Sequence, residues 1–223
     1  TRVRHIAFNT EAERQLCRSV FGRFLAPNSI VGCGIEMAPE AEWGGVKAKY
    51  ELPDEYVLYL GRVSKAKVDK LLPYFLRCKA KYGGDAKLVL VGGFENEIRK
   101  FDSPDILFTG YVSDEEKTAI VRHATVMVNP SPMESLSLLM LEGMQSRIPL
   151  LVNGRSKVMK DHCRLSGAGL WYNNGRDFRK KLHRLLSDPE LRRTMSEKGP
   201  AYVREHYDWE IIIPKLRTLI ESI

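Results

Sequence analysis

Two glutamates separated by seven residues, Glu134 and Glu142, stand in the segment PSPMESLSLLMLEGMQSRIPLL. The residues between and after them read as a helix beginning near Ser135 or Leu136. Free backbone N–H groups of Leu136, Ser137 and Leu138 would then point out of its N-terminus, an anion site complementary to phosphate. On that helix Glu142 lies about 2.2 turns past Glu134, displaced by about 80°. Leu136, Leu138, Leu139, Met140, Leu141 and Met144 make nearly every side of the helix apolar. A carboxylate in such a setting is costly unless a partner meets it. The plain alternative, a helix-cap glutamate and a partly exposed helix glutamate, stays open on spacing alone.

A second pair of groups is cationic. Arg62 follows the apolar run YVLYLG, and Lys67 comes five residues later. A forked guanidinium and a point-charge ammonium suit a diphosphate, although Lys65 and Lys70 nearby fit ordinary surface charge equally. Gly92 and Gly93 end KLVLVGG and serve either close approach of a ligand or a strand-ending turn. No G-x-G-x-x-G follows a strand, so a dinucleotide fingerprint is unsupported. Tyr111 and Val112 follow DILFTG, where backbone can face a flat base or merely turn into a helix; spacing favours the turn. His162 and Cys163, in KVMKDHCRLSGAG, lack a second ligand pair and read as part of a loop or helix end. Lys157 and Lys160 read as solvent-facing, His123 as helix surface, Trp171 and Tyr172 as core. Trp209 reads as the anchor of a closing helix.

These groups need elements to carry them. HIAFNT (5–10) reads as a short strand, Thr10 as the cap of a helix with Leu16, Val20, Phe21 and Phe24 on one face, and 28–35 as a second strand. Residues 41–55, with two glycines, a proline and no clear period, read as a linker. Six apolar runs then recur as strands: 56–61, 87–93, 105–112, 124–131, 148–154 and 169–173. Helices are expected over 67–81, after the Ser113/Glu116 capping box, over 135–147, 175–187 and 188–206, and over 209–223. Near-continuous apolar strands alternating with helices predict an α/β fold, a Rossmann-like doubly wound parallel sheet covered on both faces. Ligands of such sheets bind at the carboxyl ends of the strands.

Composition narrows the field. The chain has 223 residues, 43% hydrophobic and 28% charged, which is ordinary globular composition. It holds no apolar run of about 18 residues that would span a bilayer. TRVRHIAFNT shows no signal-peptide core. Starting at Thr1 rather than Met, the chain reads as a fragment. Four scattered cysteines (Cys17, Cys33, Cys78, Cys163) exclude a zinc module and a disulfide scaffold and fit a reducing compartment. The net charge of +7 is concentrated: residues 153–207 hold 13 basic and 6 acidic residues, the remainder 22 of each. Without a stacking-aromatic pattern, this excess fits solvent, an anionic membrane or a phosphate field as well as nucleic acid.

Taken together and in order, LGRVSKAK (60–67), LVLVGG (88–93), ILFTGYVSDEE (106–116) and VNPSPMESLSLLMLEGMQSRIPLLV (128–152) resemble the C-terminal, donor-binding half of a GT-B fold glycosyltransferase of the family 4 (group 1) type. Glu134 to Glu142 matches that family's E-x7-E signature, and YDWE (207–210) its crossover segment. The resemblance covers about residues 53–223. It implies that residues 1–38 are the tail of a missing N-terminal, acceptor-binding domain and 39–55 a linker. Residues 56–207 would be the donor nucleotide-sugar domain and 208–223 a closing crossover helix.

The resemblance also implies roles. Arg62 and Lys67, beside Gly61, would hold the donor diphosphate and stabilise the leaving group. Glu142 would accept from ribose hydroxyls, and Glu134 would face the transferred sugar. Backbone at Leu136, Ser137 and Leu138 would contact phosphate and sugar, with Tyr111 and Val112 near the base. Two departures stand out: Val68 replaces the usual glycine after the lysine, and Ser135-Leu136-Ser137 replaces glycine-aromatic-glycine. The implied reaction moves a sugar, with retention, from a UDP- or GDP-linked donor to a glycan or lipid-linked acceptor. It requires no metal, in keeping with the lack of D-x-D, and no other cofactor. Polysaccharide or lipopolysaccharide assembly is the family's commonest setting. A cytoplasmic site, peripheral at the inner face of an anionic membrane, and no nucleic-acid partner are the matching expectations. The rival readings are a nucleotide-sugar epimerase of the same fold and a non-enzymatic basic module that binds membrane or nucleic acid through residues 153–207.

Overall fold

The computed structural model describes residues 3–23, 26–93, 95 and 103–222. Strand β1 (Ile6–Phe8) leads into helix α1 (Glu11–Phe21), and β2 (Asn28–Ile30) returns parallel to β1. The predicted cap is present: Thr10 Oγ1 accepts from Glu13 N at 3.0 Å, and the Glu13 carboxylate accepts from Asn9 N at 2.7 Å.

The main sheet has six parallel strands: β3 (Tyr56–Leu60), β4 (Lys87–Val91), β5 (Ile106–Gly110), β6 (Val126–Asn129), β7 (Leu150–Asn153) and β8 (Gly169–Tyr172). Their order is β5-β4-β3-β6-β7-β8. Every residue of β3 is buried, and its side chains alternate between two apolar layers. Tyr56, Leu58 and Leu60 enter one layer, Val57 and Tyr59 the other. The continuous apolar runs in the sequence follow from this covering of both faces.

One layer is closed by α5 (Asp114–Arg122), α6 (Leu138–Gln145), α7 (Lys157–Ser166) and α9 (Pro189–Tyr207). The other is closed mainly by α4 (Leu71–Tyr82) and α8 (Gly175–Ser187). The Ser113/Glu116 capping box is formed in full at the start of α5. The last helix, α10 (Trp209–Glu221), sets the Trp209 ring against Gly34, where an added Cβ would lie 2.3 Å from the indole.

Four local expectations change. The stretch read as a linker contains helix α2 (Trp43–Lys49), because the Glu42 carboxylate accepts from the Gly44 and Gly45 amides and caps a start that its glycines hide. The helix expected over 67–81 is two, α3 (Lys65–Val68) and α4. The helix expected over 135–147 begins only at Leu138. Residues 157–166, where His162 and Cys163 read as part of a loop or helix end, form a full helix α7, capped by Ser156 and buried along Val158, Met159, His162, Cys163 and Ser166. Two polar members of that stripe mask its helical period. His123, expected on a helix surface, is indeed exposed at the end of α5, where its ring stacks on Trp43 with centroids 3.9 Å apart.

Candidate functional site

The strand order reverses between β3 and β6, and a crevice opens outside the carboxyl ends of strands at such a switch point. A cavity of about 410 Å³ lies there, bringing together Gly61, Arg62 and Lys67 from the end of β3 with Glu134, Leu136, Ser137 and Leu138 from the β6–α6 loop. Asn9 and Cys33, from the segments that follow β1 and β2, close another side.

The strand end that presents Arg62 is shaped by glycine. Gly61 and Gly92 have φ of 129° and 131°, and a Cβ on Gly92 would sit 2.2 Å from the Gly61 carbonyl oxygen. These glycines therefore serve the close approach of adjacent strand ends. Tyr59 Oη donates to the Arg62 carbonyl at 2.9 Å, bracing the turn. Burial, aided by the negative charge of Glu134, pushes the Tyr59 hydroxyl up to about 12, so it remains a donor.

Lys67 reaches across the crevice, where its Nζ donates to Ser131 Oγ at 3.3 Å. Ser131 Oγ in turn donates to the Met133 carbonyl at 2.8 Å. Two asparagines tie this loop to the sheet. Asn129 Oδ1 accepts from Ser131 N at 3.0 Å, and Asn129 Nδ2 donates to Ser137 Oγ at 3.1 Å. Asn153 Nδ2 donates to the Pro130 carbonyl at 2.9 Å. Sequence reasoning missed Tyr59, Asn129, Ser131 and Asn153. The available signal was that VMVN and LLVN, adjacent strands, both end in asparagine at the sheet's carboxyl edge.

The anion end of α6 is displaced from its expected place. Ser137 adopts the left-handed conformation (φ 68°, ψ 72°) immediately before the helix. Met140 N already donates to the Ser137 carbonyl at 3.0 Å. The helix-end amides are therefore those of Leu138 and Leu139, whereas Leu136 buries its side chain, 5% exposed. Because Glu134 lies outside the helix, the 80° relation to Glu142 does not hold.

Glu142 sits deeper, on the α6 face turned toward α5. Its Oε1 lies 3.3 Å from Lys117 Nζ, and Lys117 is also 3.3 Å from Asp114 Oδ1. Its Oε2 is buried without a hydrogen-bond partner among the described residues. Lys117 is the partner that makes a carboxylate tolerable in this apolar helix, and it escaped sequence reasoning because 25 residues separate the pair. Glu142, Tyr111 and Val112 do not line the crevice. The Tyr111 ring is 86% exposed and lies over Gly93, while Val112 packs against the apolar layer. His162, on α7, faces the interior, 2% exposed.

Among known proteins, the chain matches the family model of glycosyl transferases group 1 over residues 46–202. It is 30% identical over 174 residues to alpha-D-kanosaminyltransferase of Streptomyces kanamyceticus, which covers 72% of this chain and 44% of that protein. It is 26% identical over 132 residues to glycosyltransferase 1 domain-containing protein 1 of Xenopus tropicalis, covering 58% of this chain and 36% of that protein. The chain thus spans less than half the length of these curated relatives. Among solved structures it superposes on a glycosyltransferase from Rickettsia africae with a TM-score of 0.81 at 14% identity, covering 98% of this chain and 63% of that one. It superposes on HepE of Anabaena, solved in complex with UDP and glucose, with a TM-score of 0.80 at 12% identity, covering 99% and 64%. The six-stranded parallel sheet and these superpositions identify the fold as the C-terminal half of GT-B. With the family match across most of its length, the chain belongs to the group 1 glycosyltransferases.

Proposed function

We propose that this chain is the donor-binding part of a retaining glycosyltransferase that moves a sugar from a nucleoside diphosphate sugar to a glycan or lipid-linked acceptor. The observation that carries this reading is the convergence of Arg62, Lys67, Glu134 and the helix-end amides of α6 on one crevice at the sheet's switch point. In this reading the diphosphate lies between the Arg62 guanidinium and the Lys67 ammonium, with the α6 N-terminus adding partial positive charge. These groups stabilise the charge that grows on the departing diphosphate, which is where preorganised electrostatics lower a barrier. Glu134 accepts hydrogen bonds from the transferred sugar. Glu142 offers its unpartnered Oε2 to the ribose, Lys117 holding the other oxygen. Tyr111 and Val112 border the base. The acceptor hydroxyl attacks the anomeric carbon from the face that the nucleoside diphosphate leaves, and the departing diphosphate takes the hydroxyl proton, so no protein nucleophile is assigned and no metal is required.

A UDP-linked donor is the first to try, since a structural neighbour was solved with UDP and glucose. The domain division follows the same reading. Residues 1–38 belong to an acceptor-binding domain, 39–55 connect, 56–207 hold the donor, and 208–223 cross back. The basic excess in residues 153–207 would face solvent or an anionic membrane; among the described residues no helix is long and apolar enough to cross one.

The test is calorimetry with a panel of UDP- and GDP-sugars. Binding is expected, with Arg62→Ala and Glu142→Ala each weakening it about tenfold, as loss of one charge-assisted contact should. Absence of binding across the panel would overturn the donor reading, and unchanged affinity in both variants would overturn the site assignment. Product analysis of the donor alone separates transfer from epimerisation.

A further inference from the structure

Ser137 holds a left-handed backbone (φ 68°, ψ 72°) on the step into α6. Glycine adopts that backbone without strain, whereas serine there is strained. What serine adds is a hydroxyl. Ser137 is half-buried and lines the crevice with Arg62 and Lys67. The direction of its hydroxyl proton follows from two hydrogen bonds. The Ser131 N–H can only donate, so the Asn129 atom 3.0 Å from it is Oδ1, which accepts. That leaves Nδ2, which can only donate, to meet Ser137 Oγ at 3.1 Å. The Ser137 oxygen is thus engaged as an acceptor, and its own proton points elsewhere. Ser131 differs: its oxygen accepts from Lys67 Nζ at 3.3 Å, and its proton goes to the Met133 carbonyl at 2.8 Å. No acceptor takes the Ser137 proton among the described residues. Ser135 lines the crevice too, but it is exposed and no bond anchors its hydroxyl among the described residues.

We propose that the Ser137 hydroxyl is a hydrogen-bond donor to the diphosphate of the bound nucleotide sugar, aimed by Asn129. It stands next to the helix-end amides of Leu138 and Leu139, whose residues line the same crevice. A diphosphate oxygen can only accept, and a hydrogen bond to an anion is stronger than one between neutral groups. An O–H whose oxygen is already anchored needs little reorganisation when the anion arrives. Asn129 then acts through Ser137 and is a positioning residue, its own orientation fixed by the Ser131 backbone. This rests on reading the crevice as a donor site, and adds a side chain to the backbone contacts assigned to the β6–α6 loop. It predicts an effect on the diphosphate and none on the base.

Titration of the chain with UDP, UDP-glucose and uridine tests it. Ser137→Ala and Ser137→Gly should each lower the affinity for UDP and UDP-glucose about tenfold and leave uridine unchanged. Glycine keeps the left-handed turn without strain, so a loss shared by both variants belongs to the hydroxyl. A loss confined to one variant would trace it to the backbone and overturn the proposal, as would equal losses for UDP and uridine. A loss for UDP-glucose without one for UDP would place the hydroxyl on the sugar and overturn it too. Asn129→Asp tests the aim. A carboxylate there still accepts from Ser131 N, but its second oxygen accepts the Ser137 proton and turns it away from the crevice. Its charge also repels the anion, so the two substitutions are combined. Asn129→Asp should weaken UDP binding less in the Ser137→Ala chain than in the natural one; equal losses would show that Asn129 does not aim the hydroxyl. Failure of the unsubstituted chain to bind UDP would overturn the donor reading and this contact with it, whereas UDP binding that both Ser137 variants leave unchanged would overturn the contact alone.

Discussion

Arg62 and Lys67 illustrate how a residue's neighbours decide its use. Their spacing fits a diphosphate and fits surface charge equally, and both are exposed. What separates them from the lysines around them is that the end of β3 and the start of α3 turn both toward the crevice that Glu134 also lines. His162 shows the same rule in the interior. Burial lowers its pKa from the ordinary 6.5 to about 4, so it is neutral in the folded chain and readily protonated in the unfolded one. The unfolded chain therefore binds the extra proton, and the stability His162 allows is full above the ordinary histidine range and falls as pH drops toward 4. Urea unfolding at pH 7 and pH 5 should differ by about 2 kcal/mol more in the natural chain than in His162→Gln, which cannot titrate. Equal pH dependence would mean that the ring is not held neutral.

At the scale of the element, α6 is framed by two non-glycine residues in the left-handed conformation, Ser137 before it and Arg147 after it (φ 68° and 64°). The two differ in purpose. Ser137 accepts from Asn129 and sets the loop that carries Glu134, so its strain is coupled to the site. Arg147 ends the helix in a Schellman turn, with Ile148 N donating to the Gly143 carbonyl at 2.9 Å and Arg147 N to the Met144 carbonyl at 3.1 Å. Glycine is the residue that adopts this position without strain. Arg147→Gly should raise the unfolding free energy by about 0.5–1 kcal/mol and the thermal midpoint by a few degrees, without changing nucleotide affinity. A lower midpoint would show that the exposed arginine contributes more than its conformation costs.

At the scale of the molecule, the two-stranded parallel pair β1–β2 and the six-stranded sheet are separate sheets joined by packing. Helix α1 lies against α7, and α10 sets Trp209 on Gly34. Asn9 and Cys33 thereby reach the crevice beside Glu134. The chain is much shorter than its curated relatives, and the division of labour proposed above makes a specific expectation. The chain should bind a nucleotide sugar yet give no transfer to any acceptor. Release of nucleotide followed over hours, with and without candidate acceptors, checks it, and robust turnover would show that the acceptor half is dispensable.

The sequence by itself determined the elements whose burial is uniform. The strands of the main sheet are covered on both faces, so each is written as a continuous apolar run, and their count and parallel sense were readable from that pattern. Capping was equally legible at Thr10 and Ser113, where the hydrogen bonds join residues three apart. The candidate site was half legible. Arg62, Lys67 and Glu134 were picked out by type and by their place after strands, and Gly61 by the family resemblance, yet the start of α6, the depth of Glu142 and the roles of Lys117, Asn153 and His162 were not. Each of these depends on a contact made across the fold. Lys117 meets Glu142, Asn153 meets Pro130, and His162 meets Tyr202, pairs 25, 23 and 40 residues apart. Local pattern fixes backbone conformation, because propensity and capping act within a turn or two. Which buried polar atom finds a partner, and which waits for one, depends on how the layers pack, and only the tertiary structure decides that.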